Sequence, residues 1–245
     1  MLVGLIGAGN MARALARGWG DPVLAVDAGS GRAGVLVNEI GGEALTSSAE
    51  VAARADVLVL ACKPHQLDAV GRELAGYSGR VVSVLGATSI ERLNAALPQA
   101  TVVRTMPNTP VEVRRGVIAA AAESPPDDEL RALLERLGDV VLVPEALMDV
   151  ATGASGVTPA YVALVAEAMI EACVKHGLKQ DIAARLVVGA LEGSAALIAA
   201  RDADTLAVRR AVTSPGGSTA RGLAALERGG LRAAFLDALD AVVKP

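Results

Sequence analysis

Aromatic side chains are almost missing from this 245-residue chain: one Trp, one Phe and two Tyr, or 2% of the residues. With 52% hydrophobic residues, the core must be built from Ala, Val and Leu in close contact, as in helix-on-sheet and helix-on-helix packing. Cys62 and Cys173 are too few for a disulfide framework or a metal site, and His65 and His176 do not complete a zinc site with them. The formal charge of −4 and the absence of any Lys/Arg cluster leave no basic face for nucleic acid. No apolar run reaches the length that spans a bilayer. A strand-like run begins at Leu2, which leaves no room for a signal peptide. The expectation is a cytoplasmic, soluble protein without a metal and without a membrane partner.

What is present is an alternation. Leu2–Ile6, Val23–Val26, Val57–Ala61, Val81–Leu85, Val102–Arg104, Gly116–Ala119 and Val140–Val143 are short apolar runs separated by helical patterns. Runs that are continuous rather than alternating indicate strands buried on both faces, hence a largely parallel sheet covered by helices. The predicted fold class is therefore α/β, a doubly wound domain over residues 1–151. From about Ala151 the strand signals stop, and residues 152–245 read as an all-α domain. Thr158-Pro159 reads as a helix cap with proline at the first position, the helix running to Gly177. A second helix, roughly Asp181 to Ala200, has only Arg185, Glu192 and Ser194 as clearly polar interior residues. A helix apolar nearly all round must be covered on nearly every side. A second subunit covering it, in an obligate homodimer, is the expectation; burial within one chain is the alternative.

Gly7-Ala8-Gly9-Asn10-Met11-Ala12 follows the first strand and opens a helix. It fits the G-x-G-x-x-G/A fingerprint, in which Gly7 allows the tight turn, Gly9 lets backbone approach a pyrophosphate, and Ala12 keeps helix and strand close. Asp27 ends the second strand, twenty residues past Gly7, where a carboxylate bonds adenosine ribose hydroxyls. The reading is a nicotinamide dinucleotide. Asp27 repels a 2′-phosphate and so favours NADH over NADPH, whereas Ser30 and Arg32 in the same loop offer that phosphate a partner if Asp27 turns away. Lys63 and Pro64 close the next buried strand at its carboxyl edge, as structural or cofactor-edge residues, with a catalytic Lys63 as the alternative. Met106-Pro107-Asn108-Thr109-Pro110 is a proline-stiffened turn that offers main-chain groups and Asn108 to a planar ring such as nicotinamide, or is simply a rigid loop. Cys62 reads as core packing, with no redox role.

Thr213-Ser214-Pro215-Gly216-Gly217-Ser218-Thr219 interrupts the helical half. Proline and two glycines stop one helix, and Ser218 and Thr219 start the next. Free N–H groups and hydroxyls at a helix N-terminus suit a carboxylate or a phosphate; a plain interhelical turn is the alternative.

Taken together, Gly7–Ala12, Lys63-Pro64, Arg104–Pro110 and Val212–Thr219 resemble the pyrroline-5-carboxylate reductase family over essentially the whole chain. The resemblance implies a Rossmann domain followed by a helical dimerisation domain, with dimers that often assemble into decamers. It also implies the last step of proline biosynthesis, reduction of the C=N bond of 1-pyrroline-5-carboxylate by NADH or NADPH. Ser214, Gly216, Gly217, Ser218 and Thr219 would then hold the substrate, with Thr219 near the imine nitrogen as the catalytic candidate. Gly7, Ala8, Gly9, Asn10, Met11, Asp27, Lys63, Pro64, Met106, Pro107 and Asn108 would serve the cofactor. Ser155-Gly-Val-Thr-Pro-Ala-Tyr161 departs from the family's usual Ser-Gly-Ser-Gly-Pro-Ala-Tyr at Val157 and Thr158. Many family members also lack an acid at the position of Asp27. Competing readings are a reductase of another cyclic imine, a β-hydroxyacid-type dehydrogenase using Lys175, and a non-catalytic NAD(H) sensor. The 213–219 segment speaks against the sensor, which has no need of a carboxylate clamp.

Overall fold

The computed structural model describes residues 1–243. By compactness the chain divides into two units, the first being Met1–Pro159 and the second beginning at Ala160.

In the first unit, strands and helices alternate as β1 (Val3–Ile6), α1 (Asn10–Trp19), β2 (Val23–Val26), α2 (Arg32–Ile40), β3 (Gly42–Ala44), α3 (Ser48–Ala52) and β4 (Val57–Leu60). They continue as α4 (Leu67–Glu73), β5 (Arg80–Ser83), α5 (Ile90–Ala96), β6 (Thr101–Pro107), β7 (Gly116–Ala121), α6 (Asp128–Glu135), β8 (Gly138–Val143) and α7 (Met148–Ala151). The sheet order is β3-β2-β1-β4-β5-β6-β7-β8. All neighbours pair in parallel except β6 and β7, where Met106 faces Ala119. That exception follows from the link between them, a single short turn at Thr109–Val113. A parallel pairing needs a long crossover, and here there is none. The doubly wound α/β class read from the sequence is thus the fold of this unit. β3 has no apolar run and is exposed along its length, so no pattern announces it.

Both sheet faces are buried. Along β1 and β4, Leu5, Val57 and Val59 join Leu15, Trp19 and Leu36 in one core, while Ile6, Leu58 and Leu60 join Val81 and Leu93 in the other. This alternation is the period of a strand expressed on two packed faces. Trp19 is wholly enclosed, and its Nε1–H donates to the Leu133 carbonyl at 3.0 Å. Large flat residues are unnecessary where branched aliphatics interdigitate at this density.

After α7 the chain makes one π-helical turn, Thr152–Gly156, and enters α8 (Thr158–Lys175). The cap expected at Thr158 is corrected: its hydroxyl donates back to the Ala154 carbonyl at 2.8 Å, because helical structure already precedes it. The second unit continues with α9 (Gln180–Ala199), α10 (Thr205–Ala211), α11 (Ser218–Arg228) and α12 (Leu231–Val243). Tyr161 and Phe235 meet edge to face, with centroids 6.5 Å apart.

Two expectations fail here. Burial of α9 within its own chain is overturned, since Ala183 and Val187 are its only buried residues and Leu186 is 58% exposed. The absence of membrane-length segments is also overturned. Residues Glu145–Lys175 and Gln180–Ala199 are long and apolar enough by length and composition, with mean hydropathies of 1.6 and 1.7. The scattered charges in these helices interrupt every apolar run without lowering the average much.

Candidate functional site

Gly7 leaves β1 with φ +106°, and a Cβ there would lie 2.6 Å from the backbone of Ala61 and Cys62. Only glycine fits that turn. A Cβ at Gly9, by contrast, would meet nothing within 4 Å. The turn therefore faces open space at the N-terminus of α1, whose first turn is capped by no side chain. An uncapped N-terminus behind a glycine turn fits a pyrophosphate. Ala8, Asn10 and Met11 follow Gly7 along this turn and into α1, as the motif requires.

Beside it lies a cleft of about 190 Å³ lined by Gly7, Asp27, Thr46, Cys62, Gln66 and Glu73 among others. Asp27 accepts the backbone N–H of Ser30 at 2.7 Å on one oxygen and that of Ala33 at 2.6 Å on the other. Burial opposes its ionisation, but the amides of Ala33 and Ser30 outweigh it and hold the carboxyl below the usual carboxylate range. Each oxygen keeps a lone pair for a further donor. Glu73 accepts from the Ser48 amide. Among the described residues no Lys or Arg lines the cleft, and Arg32 is exposed at the start of α2. Burial pushes the Cys62 thiol up, so it is no thiolate. Thr46, Gln66 and Glu73 escaped the sequence reading because no motif marks them; the fold alone brings them to this edge.

Lys63 is exposed at the carboxyl end of β4, its N–H bonded to Gln66 Oε1 at 2.9 Å, with Pro64 opening the next turn. Met106 and Pro107 belong to β6 rather than to a turn. Asn108 is only 7% exposed, and its amide serves the protein. Oδ1 accepts the Val117 N–H at 2.8 Å, and Nδ2 donates to the Ser155 carbonyl at 3.2 Å. The side chain therefore braces the wall on which it was expected to greet a ligand.

In the second unit, the 213–219 segment separates α10 from α11. Gly216 takes φ +69°, and Gly217 is the extended N-cap of α11, with no side chain capping it. A Cβ at Gly217 would lie 2.4 Å from Ser214 Oγ, so a larger residue there would turn that hydroxyl aside. The Thr213 hydroxyl is consumed by the Arg209 carbonyl at 2.6 Å. The first N–H groups of α11 are thus met by no capping side chain. Ser218 and Thr219 are the first two residues of α11, and Thr219 is half-buried.

A twisted, mainly parallel sheet with a glycine turn and an acid-lined cleft at its carboxyl edge defines a Rossmann-type, dinucleotide-dependent oxidoreductase. Residues 145–245 match the family model for pyrroline-5-carboxylate reductase dimerisation, and residues 2–86 match that for NADP oxidoreductase, coenzyme F420-dependent. The chain is 41% identical over 201 residues to pyrroline-5-carboxylate reductase of Synechocystis, covering 80% of this chain and 75% of that one. It is 36% identical to pyrroline-5-carboxylate reductase 3 of Bos taurus, covering 98% and 82%. Among solved structures it resembles the Plasmodium falciparum pyrroline carboxylate reductase with NADP bound, with TM-score 0.85 and 26% identity, covering 100% of this chain and 96% of that one. The chain belongs to the pyrroline-5-carboxylate reductase family.

Proposed function

We propose that this protein reduces 1-pyrroline-5-carboxylate to L-proline with a reduced nicotinamide cofactor. The observation that carries the reading is the pairing, in one chain of this family, of the open Gly7–Gly9 turn with the uncapped Gly217–Thr219 helix start. When bound, the nicotinamide supplies the hydride that reaches the C=N carbon, and the nitrogen gains a proton. Residues of this chain do the rest. The Gly7–Ala12 turn holds the pyrophosphate, with Gly9 offering space for close approach. Lys63, Pro64, Met106, Pro107 and Asn108 form the rest of the cofactor wall, Asn108 by bracing it. Ser214, Gly216, Gly217 and Ser218 shape the backbone cradle for the carboxylate. The Thr219 hydroxyl hydrogen-bonds the imine nitrogen and orients it; an unassisted threonine is too weak an acid to do more at neutral pH. Much of the rate then comes from proximity and orientation.

For the cofactor, we infer a preference for NADH. A 2′-phosphate beside Asp27 would meet a second carboxylate, Glu73, and no lining cation. Relatives that carry NADP in their names or structures make this the sharper test of the cleft. We further propose a soluble, cytoplasmic homodimer in which α8 and α9 bury their apolar surfaces against a second copy, with decamers as a further level of assembly. The domain border belongs to the same proposal, with cofactor binding in residues 1–151 and dimerisation and substrate binding in 152–245.

The test is oxidation of NADH, and separately of NADPH, with DL-pyrroline-5-carboxylate. Turnover, faster with NADH, is the expected result. Binding of both nucleotides without turnover would refute the substrate, and piperideine-carboxylate would be assayed next.

A further inference from the structure

One charged side chain in the first unit is buried and takes no part in the reaction just described. Arg104 lies in β6 between Val103 and Thr105 and is only 6% exposed. Its Nη1 donates to Glu145 Oε1 at 2.8 Å, and the same oxygen accepts the Ile90 N–H at 2.6 Å, at the start of α5. The Glu145 N–H in turn donates to Glu123 Oε2 at 2.8 Å. Glu145 is also the residue at which the match to the dimerisation model begins. Three elements thus converge on one carboxylate: β6, α5 and the segment that leaves the sheet.

Beyond Glu145, Met148 packs into a small apolar cluster with Met106 and Ile90, and Ser155 is tied to Asn108. The whole segment 145–156 is thereby laid against the end of β6. The Arg104 Nε has no acceptor among the described residues. A buried guanidinium with an unmet donor is a poor device for stability. It is a good device for fixing geometry, because the pair leaves Glu145 a single well-defined seat.

We propose that Arg104 is a positioning residue: with Glu145, and with the Asn108–Ser155 bond as a second point, it clamps segment 145–156 and so fixes Met106–Asn108 as the wall against the nicotinamide. The inference rests on the reading of that wall as the nicotinamide side of the cofactor site. The cleft at Asp27 is separate in residues and should be indifferent to the clamp.

The experiment uses the full-length protein and three variants, Arg104→Met, Arg104→Lys and Glu145→Gln. Three quantities are read: amide exchange of residues 148–156 without ligand, NADH affinity by fluorescence, and hydride transfer in a single turnover. In Arg104→Met, exchange of 148–156 rises about tenfold relative to β1 and β4, and hydride transfer falls about tenfold, as misplacement of a reacting group allows. The Kd for NADH stays within about twofold, since the pyrophosphate and ribose contacts persist. Arg104→Lys recovers part of the rate. If Arg104→Met does not fold, Glu145→Gln, which keeps an oxygen for Ile90, must give the same separation of rate from affinity. Faster exchange with unchanged hydride transfer would overturn the proposal, leaving a purely structural pair. Loss of NADH affinity in step with rate would overturn it too. A wild-type protein inactive on pyrroline-5-carboxylate would instead refute the functional reading, a failure that the exchange data keep distinct.

Discussion

The two units of this chain solve the problem of burial in opposite ways. The first encloses its strands on both faces, with Leu5, Leu15, Trp19, Leu58 and Leu60 at most 2% exposed. In the second, Ala183 and Val187 are the only buried hydrophobic residues among those described, while Leu164 and Leu186 stand 64% and 58% exposed. Their composition is similar, rich in Ala, Val and Leu. The difference is architectural. A sheet with helices on both faces closes a core by itself, whereas a few helices carrying apolar residues around most of their circumference cannot. Exposed apolar surface on this scale marks an interface. The first unit's glycine turn and cleft are therefore held by its own backbone, whereas on the reading proposed above the second unit's helices need a partner copy to be stable.

The largest effect should come from breaking that dependence. Leu164→Glu combined with Leu186→Glu places two charges on the surface proposed to be shared. The dimer should be lost at micromolar concentration by sedimentation, and helical circular dichroism should fall while NADH binding survives. Unfolding of the wild type should also shift with protein concentration, as it does when association supports the fold. A variant that stayed dimeric would place the interface elsewhere and end the contrast between the units.

How much of this could be read in advance also divides along the same line. β1 and α1 were legible because a buried strand, a glycine turn and a helix occupy successive residues. The exposure of α9 was legible only as a paradox, an apolar helix with nothing in its own chain to cover it. Contacts that join distant residues were illegible. Asn108 finds Val117 and Ser155, and Arg104 finds Glu145, through the fold alone. Arg104 reads in the sequence as the end of a short apolar run, and nothing in its neighbourhood names Glu145. The short antiparallel link between β6 and β7 carried a cue, since residues 108–115 are too few for a crossover helix.

A smaller effect tests whether the second unit carries chemistry as well as association. Thr219→Ala should lower kcat about tenfold, the scale of one well-placed hydrogen bond in the transition state, with the dimer intact. Unchanged kcat would confine the 213–219 segment to substrate binding. In the first unit, Asp27→Ala should cut kcat/KM for NADH by about tenfold, as loss of a charged hydrogen bond does, and leave NADPH nearly as it was. Equal losses with both cofactors would mean that Asp27 only shapes its loop.

The smallest effect isolates that loop-shaping role. The folded Asp27 carboxyl titrates below its ordinary value because the amides of Ala33 and Ser30 outweigh the opposing effect of burial. A carboxyl depressed on folding contributes stability that is fully present above the unfolded value, near 3.8, and is lost as pH falls through the folded one. Asp27→Asn removes this contribution at all pH values. Urea unfolding of wild type and variant should therefore differ at about pH 6, and the gap should begin to close only below 3.8, as pH falls through the folded value. The gap should be about 1 kcal/mol or less, because the group faces solvent and its interactions are screened. A gap that stays undiminished as far into acid as the fold survives would assign the difference to side-chain shape rather than charge. Because the carboxylate and both amides lie in the first unit, the effect should be independent of protein concentration, whereas melting of the second unit should not.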